Sequence, residues 1–320
     1  MTPFDFLFLR HWPPSFQEAY AALALVNRQS IDWCGPRAGF ISETQSTFLD
    51  DSETTENQDT PLLSQSPHTK HNRPETKLPS AFASLKSLTD LSITRFSFGG
   101  EIPAAIFHSP TLSQTLTSLN LSFNNLTGHL DASIANLANL TRLSLVSNGL
   151  SGSIPAAIGS LQNLQQLDLE DNHFSGTIPK EIANLVHMQH LNLNQNNLSA
   201  LPHEISKMKE LRSLDCRSNM LKGSIPASFG QLQNLRRLNL SNNFLHGSIP
   251  PELGDLHCCI YLLLSHNMLS GDIPHQLCNL GRAAFISLDN NALCGDVPTQ
   301  LIQMPHLIRF RYHGNPGLFK

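Results

Sequence analysis

Three groups of side chains in this chain have the types and spacing to do chemistry. Asp168, Glu170 and Asp171 set three carboxylates within four residues, a grouping that can hold a cation or share a proton. Arg212, Asp215, Arg217, Arg236 and Arg237 place guanidinium groups around one carboxylate and are followed by Tyr261; arginine and tyrosine are typical anchors of recognition surfaces. His257-Cys258-Cys259, and the pair His68 and His71, come nearest to metal-ligand spacing, but neither supplies four convergent ligands. Acid–base catalysis would need carboxylates that a pocket desolvates, and the pattern around Asp168 predicts an open strand face without one. The expectation is therefore no catalytic residue, no metal and no cofactor.

What positions these groups is a repeat. The stretch Leu140 to Pro155 reads L-x-x-L-x-L-x-x-N-x-L-x-G-x-I-P. The skeleton returns every 24 residues, with its asparagine at Asn124, Asn148, Asn172 and Asn196, and again at Asn219, Asn243, Asn267, Asn291 and Asn315. The single step of 23 comes from a shortened turn, Leu198-Ser199-Ala200-Leu201-Pro202. A period of this length marks a solenoid. In Leu143-Ser144-Leu145 the apolar residues alternate with period two, which predicts a short strand with leucines inward and their neighbours outward. Ten such strands stack in parallel, about 4.8 Å apart. The conserved apolar slots, including the Ile before Pro, make the core; a buried leucine contributes about 1.5–3 kcal/mol, much of it offset by ordering the chain. The asparagine amide supplies hydrogen bonds to backbone groups that the turn would otherwise leave unpaired. Cys216 and Cys259 occupy leucine slots and are expected as core thiols.

Units begin at Leu88, Leu116, Leu140, Leu164, Met188, Leu211, Leu235, Cys259, Ala283 and Leu307. Phe96 takes the asparagine slot of the first, and an insertion around Phe107 to Gln114 separates the first two. Leu78-Pro79 matches the later Ile-Pro pairs as a half-repeat, so the solenoid is assigned to residues 78–320. Residues 1–40 form a separate segment, with a short helix expected over Ser15 to Asn27 and a turn at Trp33-Cys34-Gly35-Pro36. Residues 41–77 hold few apolar side chains and are expected to be a disordered linker. Phe96 and Phe98 at one end, and Phe310, Tyr312 and Phe319 at the other, are placed to cover the core.

The net charge is -4, which predicts no general attraction to nucleic acid or an anionic membrane. No stretch approaches the roughly 18–20 apolar residues of a membrane span. The apolar start, Phe4 to Leu9, is interrupted by Asp5 and lacks a basic flank, so no secretory leader is expected. Six cysteines without a C-x-x-C pair do not make a disulfide framework.

The motif's tail recurs as Ile102-Pro103, Ile154-Pro155, Ile178-Pro179, Ile225-Pro226, Ile249-Pro250, Ile273-Pro274 and Val297-Pro298. It resembles the plant-type leucine-rich repeat of receptor-like kinases, receptor-like proteins and polygalacturonase-inhibiting proteins. The resemblance covers residues 78–320. It implies an α/β solenoid of about ten 24-residue repeats, with a curved parallel sheet on the concave face and irregular or short helical segments on the convex face. It also implies a module that recognises a protein, peptide or glycan in signalling or defence. Two other readings stay open: an inhibitor of a secreted polysaccharide-degrading enzyme, and an intracellular interaction scaffold. Family members usually have cysteine-paired caps. Here Trp33-Cys34 has no close partner, Phe319 stands where the closing cysteine is expected, and Leu293-Cys294-Gly295 comes one repeat early.

The slots that the motif leaves free are the site candidates. They are Asp168, Glu170 and Asp171 in the fourth unit, His190, Asn192 and Asn194 in the fifth, and Arg212, Asp215 and Arg217 in the sixth. Arg236 and Arg237 follow in the seventh, Tyr261, Leu263 and His266 in the eighth, and Phe285 in the ninth. The face would run acidic, polar, basic, then aromatic, with Leu263, Tyr261 and Phe285 as an exposed apolar patch. The competing expectation is a solvated face whose opposite charges simply pair with each other. Five sequons, at Asn120, Asn125, Asn139, Asn197 and Asn239, read either as glycosylation sites or as by-products of a template rich in Asn-Leu-Ser.

Overall fold

The computed structural model describes residues 30–34 and 77–319. Two parallel sheets run along the stack, one of eleven strands and one of ten. The eleven-stranded sheet is built from the predicted three-residue strands, such as Arg142–Ser144, Gln166–Asp168, His190–Asn192 and Ser213–Asp215. They pair in strict register, Leu143 on Leu167, Leu167 on Leu191 and Leu191 on Leu214. That register keeps every leucine inward and every flanking residue outward, because a slip of one residue would reverse both.

The ten-stranded sheet was not anticipated. Its strands, such as Gly149–Ser153 and His173–Thr177, cover the motif's L-x-G-x segment. After six of these strands a proline, for example Pro155 at φ -68°, leads into a five-residue 3-10 helix, Ala156–Ser160 in that repeat. Its fixed φ suits the extended residue before the helix, and its carbonyl accepts from Ile158 N–H at 3.0 Å. Packing between successive helices is close. A Cβ added to Gly159 or Gly230 would lie 2.2 Å from the carbonyl oxygen of Glu181 or Glu252 in the next repeat. The insertion after Pro103 forms two short helices, Ala104–Phe107 and Leu112–Thr115, which bury Ile106, Phe107 and Leu112.

The core is one continuous apolar column from Leu78 to Met304, including Cys216 and Cys259, whose thiols burial pushes up. The asparagines stitch it together. Asn172 Oδ1 accepts from Leu150 N–H at 3.1 Å, and its Nδ2 donates to Leu145 O at 2.9 Å, Leu169 O at 3.2 Å and Glu170 O at 3.1 Å. Each amide thus serves its own turn and that of the preceding repeat. The pattern extends to the first unit, where Asn124 Oδ1 accepts from both Phe96 and Phe98 N–H at 3.2 Å. Phe96 and Phe98 stack at one end, and Phe310 packs on Tyr312 near the other.

One expectation fails at the first edge of the long sheet. Trp33-Cys34 does not start a turn. Ser30–Cys34 is a strand paired in parallel with Asp90–Thr94. The edge strand's unpaired N–H and C=O groups require partners, and at Trp33 and Cys34 that demand outweighs the local turn signal. Lys77, placed in the linker by its composition, bridges to Gly99. The helix expected over Ser15 to Asn27, the rest of the 41–77 linker, and His68 with His71 lie outside the described residues. No helix among the described residues is long and apolar enough to cross a membrane.

Candidate recognition surface

Because the strands are in register, their outward residues form straight rows. One row runs Gln166, His190, Ser213, Arg237, Tyr261, Phe285, Arg309. The row beside it runs Asp168, Asn192, Asp215, Asn239, Leu263, Ser287, Arg311. Candidate residues from sequence positions far apart are thereby about 4.8 Å from their row neighbours.

A chain of contacts links the second row to the first. Asp215 Oδ2 lies 3.5 Å from Arg237, the Arg237 guanidinium stands 5.6 Å from the centre of the Tyr261 ring, and that ring stacks on Phe285 at 5.0 Å with 7° between planes. Arg309 follows Phe285 in register. Tyr261, Leu263 and Phe285 are half-buried, so they do not form the exposed apolar patch expected of them. Each ring covers one face of the other. Asp215, at 9% exposure, and Asn239, at 1%, are buried although their slots point outward. Asn239 Nδ2 donates to Asp215 Oδ2 at 3.0 Å, and Arg237 lies beside that carboxylate. Side chains from adjacent repeats are close enough to cover one another, so an outward slot is not necessarily an accessible one.

The acidic group behaves differently from expectation. Asp168 is pushed up from its ordinary 3.8 to about 6, chiefly by burial, with the Glu170 and Asp215 charges adding to the rise. The sheet face therefore does desolvate a carboxylate, through the packing of its own rows. Asn192 Nδ2 donates to Glu170 Oε2 at 2.8 Å, and Asp171, exposed, accepts from Ser147 Oγ at 2.8 Å. His190 is half-buried and shifted downward, first by burial and then by the Arg212 and Arg236 charges. His266 Nε2 is 3.9 Å from Asp289 Oδ2 and 3.2 Å from the Asn290 amide.

The expectation that opposite charges merely pair holds for Arg142 with Asp90 and Arg237 with Asp215. Among the described residues, no ion pair involves Asp168, Glu170, Asp171, Arg212, Arg217, Arg236, Arg309 or Arg311. The face is left with uncompensated charge of both signs in separate places.

Three further side chains are exposed beside the candidate rows' turns. Met220, Phe244 and Met268 each follow a ladder asparagine in successive repeats and are roughly half exposed. Their signal was present, because the same slot is polar or glycine in Asn125, Gly149, His173 and Asn197. Of the sequons, Asn125, Asn139 and Asn197 are exposed, Asn120 is half-buried and Asn239 is buried. Cys259 is in the core and Cys258 half-buried beside exposed His257, and no cluster of three or more His, Cys, Asp or Glu suited to a metal occurs among the described residues. A shallow polar depression of about 530 Å³ lies away from the arginine–aromatic row, lined by Gln114, Thr117, Asn139, Thr141, Asn163, Gln165 and His187.

Comparison with known proteins agrees with this geometry. Residues 114–174 match the leucine rich repeat family model, and residues 167–296 match the leucine-rich repeat region model. Among solved structures, the TDR receptor is 28% identical with a TM-score of 0.66, over 75% of this chain and 45% of the receptor chain. The Arabidopsis receptor kinase HAESA ectodomain, in complex with an extended IDA peptide hormone, is 32% identical with a TM-score of 0.63, over 76% of this chain and 48% of that one. The chain is a plant-type leucine-rich repeat protein. A plant ice-binding protein has the same architecture, at 27% identity and a TM-score of 0.63, over 76% of this chain and 77% of its own. This plant-type repeat protein spans about half the length of the receptor chains it resembles. Among curated proteins, no sequence matches it.

Proposed function

We propose that this plant-type leucine-rich repeat protein is a non-enzymatic recognition module in signalling or defence, binding a protein or peptide partner on the outward face of the long sheet. The observation that carries this reading is the pre-formed chain of contacts from Asp215 through Arg237 and Tyr261 to Phe285. A cation over a half-buried ring is worth about 0.5–2 kcal/mol, and a stacked pair adds roughly 0.5–1.5. These contacts already exist without a partner, so binding loses less side-chain freedom. The ring edges are electropositive and the nearby arginines are unpaired, which favours a partner presenting carbonyl or carboxylate oxygens here. The solved HAESA ectodomain, in complex with a peptide hormone, is a relative consistent with this use of the fold.

The test is a peptide-array screen with the whole chain, followed by affinity measurement on the best binder. Tyr261→Ala and Arg237→Gln should each weaken it at least tenfold, about 1.4 kcal/mol. Unchanged affinity in the double variant would refute the assignment of the row.

A further inference from the structure

We propose that the shallow depression at the margin of the long sheet is a binding site for a neutral oligosaccharide. It shares no residue with the arginine–aromatic row and stands apart from the partner surface proposed above.

The depression, of about 530 Å³, draws its lining from four successive repeats. Thr117, Thr141 and Gln165 each stand one residue before a strand of the long sheet, at Ser118, Arg142 and Gln166. Asn139, Asn163 and His187 each stand three residues before a strand, at Arg142, Gln166 and His190. Repeats about 4.8 Å apart make the depression roughly 14 Å long. No Asp, Glu, Lys or Arg is among its lining residues.

What the lining offers follows from where its donors already go. Asn139 Nδ2 donates to Gln114 O at 2.8 Å, and Asn163 Nδ2 donates to Ala138 O at 3.0 Å. Thr117 Oγ1 donates to Thr89 O at 3.0 Å, and Thr141 Oγ1 to Thr117 O at 3.0 Å. A hydroxyl has one hydrogen, so both threonines keep only acceptor capacity. His187 Nδ1 lies 3.1 Å from Glu210 Oε1, a carboxylate oxygen that accepts, which leaves Nε2 of the neutral ring as an acceptor. Among the described residues, Oδ1 of Asn139 and of Asn163 and the side-chain amides of Gln114 and Gln165 make no hydrogen bond. The asparagine and threonine bonds run to the backbone of the preceding repeat, so these acceptors are held in place before a ligand arrives.

The result is an uncharged surface with more acceptors than donors. A ligand suited to it brings many O–H donors and no charge. A sugar carries several hydroxyls on each ring, whereas a peptide backbone brings one N–H per residue against a carbonyl with two lone pairs. A carboxylate or phosphate would meet these oxygens with no counter-charge. No aromatic ring lines the depression, so hydrogen bonds of small net worth hold the ligand and the affinity is millimolar. Asn139-Leu140-Thr141 is a sequon with its first and last residues in the lining, so the sugar is either a free one or one attached to Asn139.

The experiment measures binding of cellotetraose and mannotetraose to the whole chain, made without glycosylation, by ligand-observed NMR, with tetragalacturonate as the anionic comparison. At least one neutral tetrasaccharide should bind in the millimolar range, and tetragalacturonate more weakly. Gln114→Ala with Gln165→Ala removes two exposed amides that bond to nothing else in the fold, and should weaken binding about fivefold, the worth of one hydrogen bond. Tyr261→Ala should leave it unchanged, so failure here and failure of the aromatic anchor are separable. In chain glycosylated at Asn139, lost binding identifies the attached sugar as the occupant and retained binding a free one; either supports the site. No binding by either neutral tetrasaccharide, equal affinity in the double variant, or tighter binding of tetragalacturonate overturns the proposal.

Discussion

Replacing Asp168 with Asn should make the protein more stable at neutral pH. The folded state raises this carboxyl from 3.8 to about 6, so the folded chain holds the proton more tightly than the unfolded one. The sign follows directly. Below about pH 4 both states are protonated and the site favours the fold. As pH rises through about 6, the folded state must carry a poorly solvated charge, and that advantage is lost. Each tenfold change in proton affinity is worth about 1.4 kcal/mol, so a rise of this size costs ~3 kcal/mol at pH 8. Asparagine keeps an acceptor for the Glu170 N–H and carries no charge. Urea midpoints of both proteins from pH 3.5 to 8 should coincide at the acid end and separate between about pH 4 and 6. Hydrogen exchange at Leu169, whose N–H bonds to Asn192 O at 2.9 Å, would report the same change locally, since a repeat array need not unfold in one step. A pH-independent difference, or a less stable variant at pH 8, would refute the claim that this open face desolvates the group.

Other expectations concern the scaffold. Asn172→Ala should cost about 2–4 kcal/mol by urea unfolding, because it strands the Leu150 N–H and the Leu145 carbonyl in the core. Gly230→Ala should cost at least about 1–3 kcal/mol or abolish folding, because the added methyl meets the Glu252 carbonyl of the following repeat; circular dichroism melting measures it. Expressed through a secretory pathway, the chain should accept glycan at Asn125 and Asn197, whose side chains are exposed, and none at Asn239; peptide mapping after deglycosylation distinguishes them.

The long sheet was readable because Leu143-Ser144-Leu145 and its copies declare which face is buried. The second sheet was not, because Gly149–Ser153 offers only one inward leucine, Leu150, and contains Gly152 at φ +78°. Its strand character comes from hydrogen bonds to neighbouring repeats, which no local pattern reports. The same holds for Ser30–Cys34, whose partner lies 60 residues on, against 24 for ordinary neighbours such as Leu143 and Leu167. At the candidate surface, slot assignment succeeded and accessibility did not. Arg237, Tyr261 and Phe285 were correctly placed in one row. Asp215 is buried beside Arg237 and the Asn239 amide, and burial raises Asp168, neither of which a slot read alone reveals. Residues about 4.8 Å apart in a row screen each other from water.

The asparagine stitching also has a direction. Asn172 completes the turn of the repeat before it, and Asn148 does the same one repeat earlier, through Leu126 N–H at 3.1 Å and Leu121 O at 3.1 Å. A ribosome therefore delivers each turn before it delivers the amide that closes it. With repeats 24 residues long, every turn waits on the order of 1–5 s during synthesis for its successor. The leading edge of the nascent stack stays unsealed by one repeat throughout, and it moves along the chain as the chain grows.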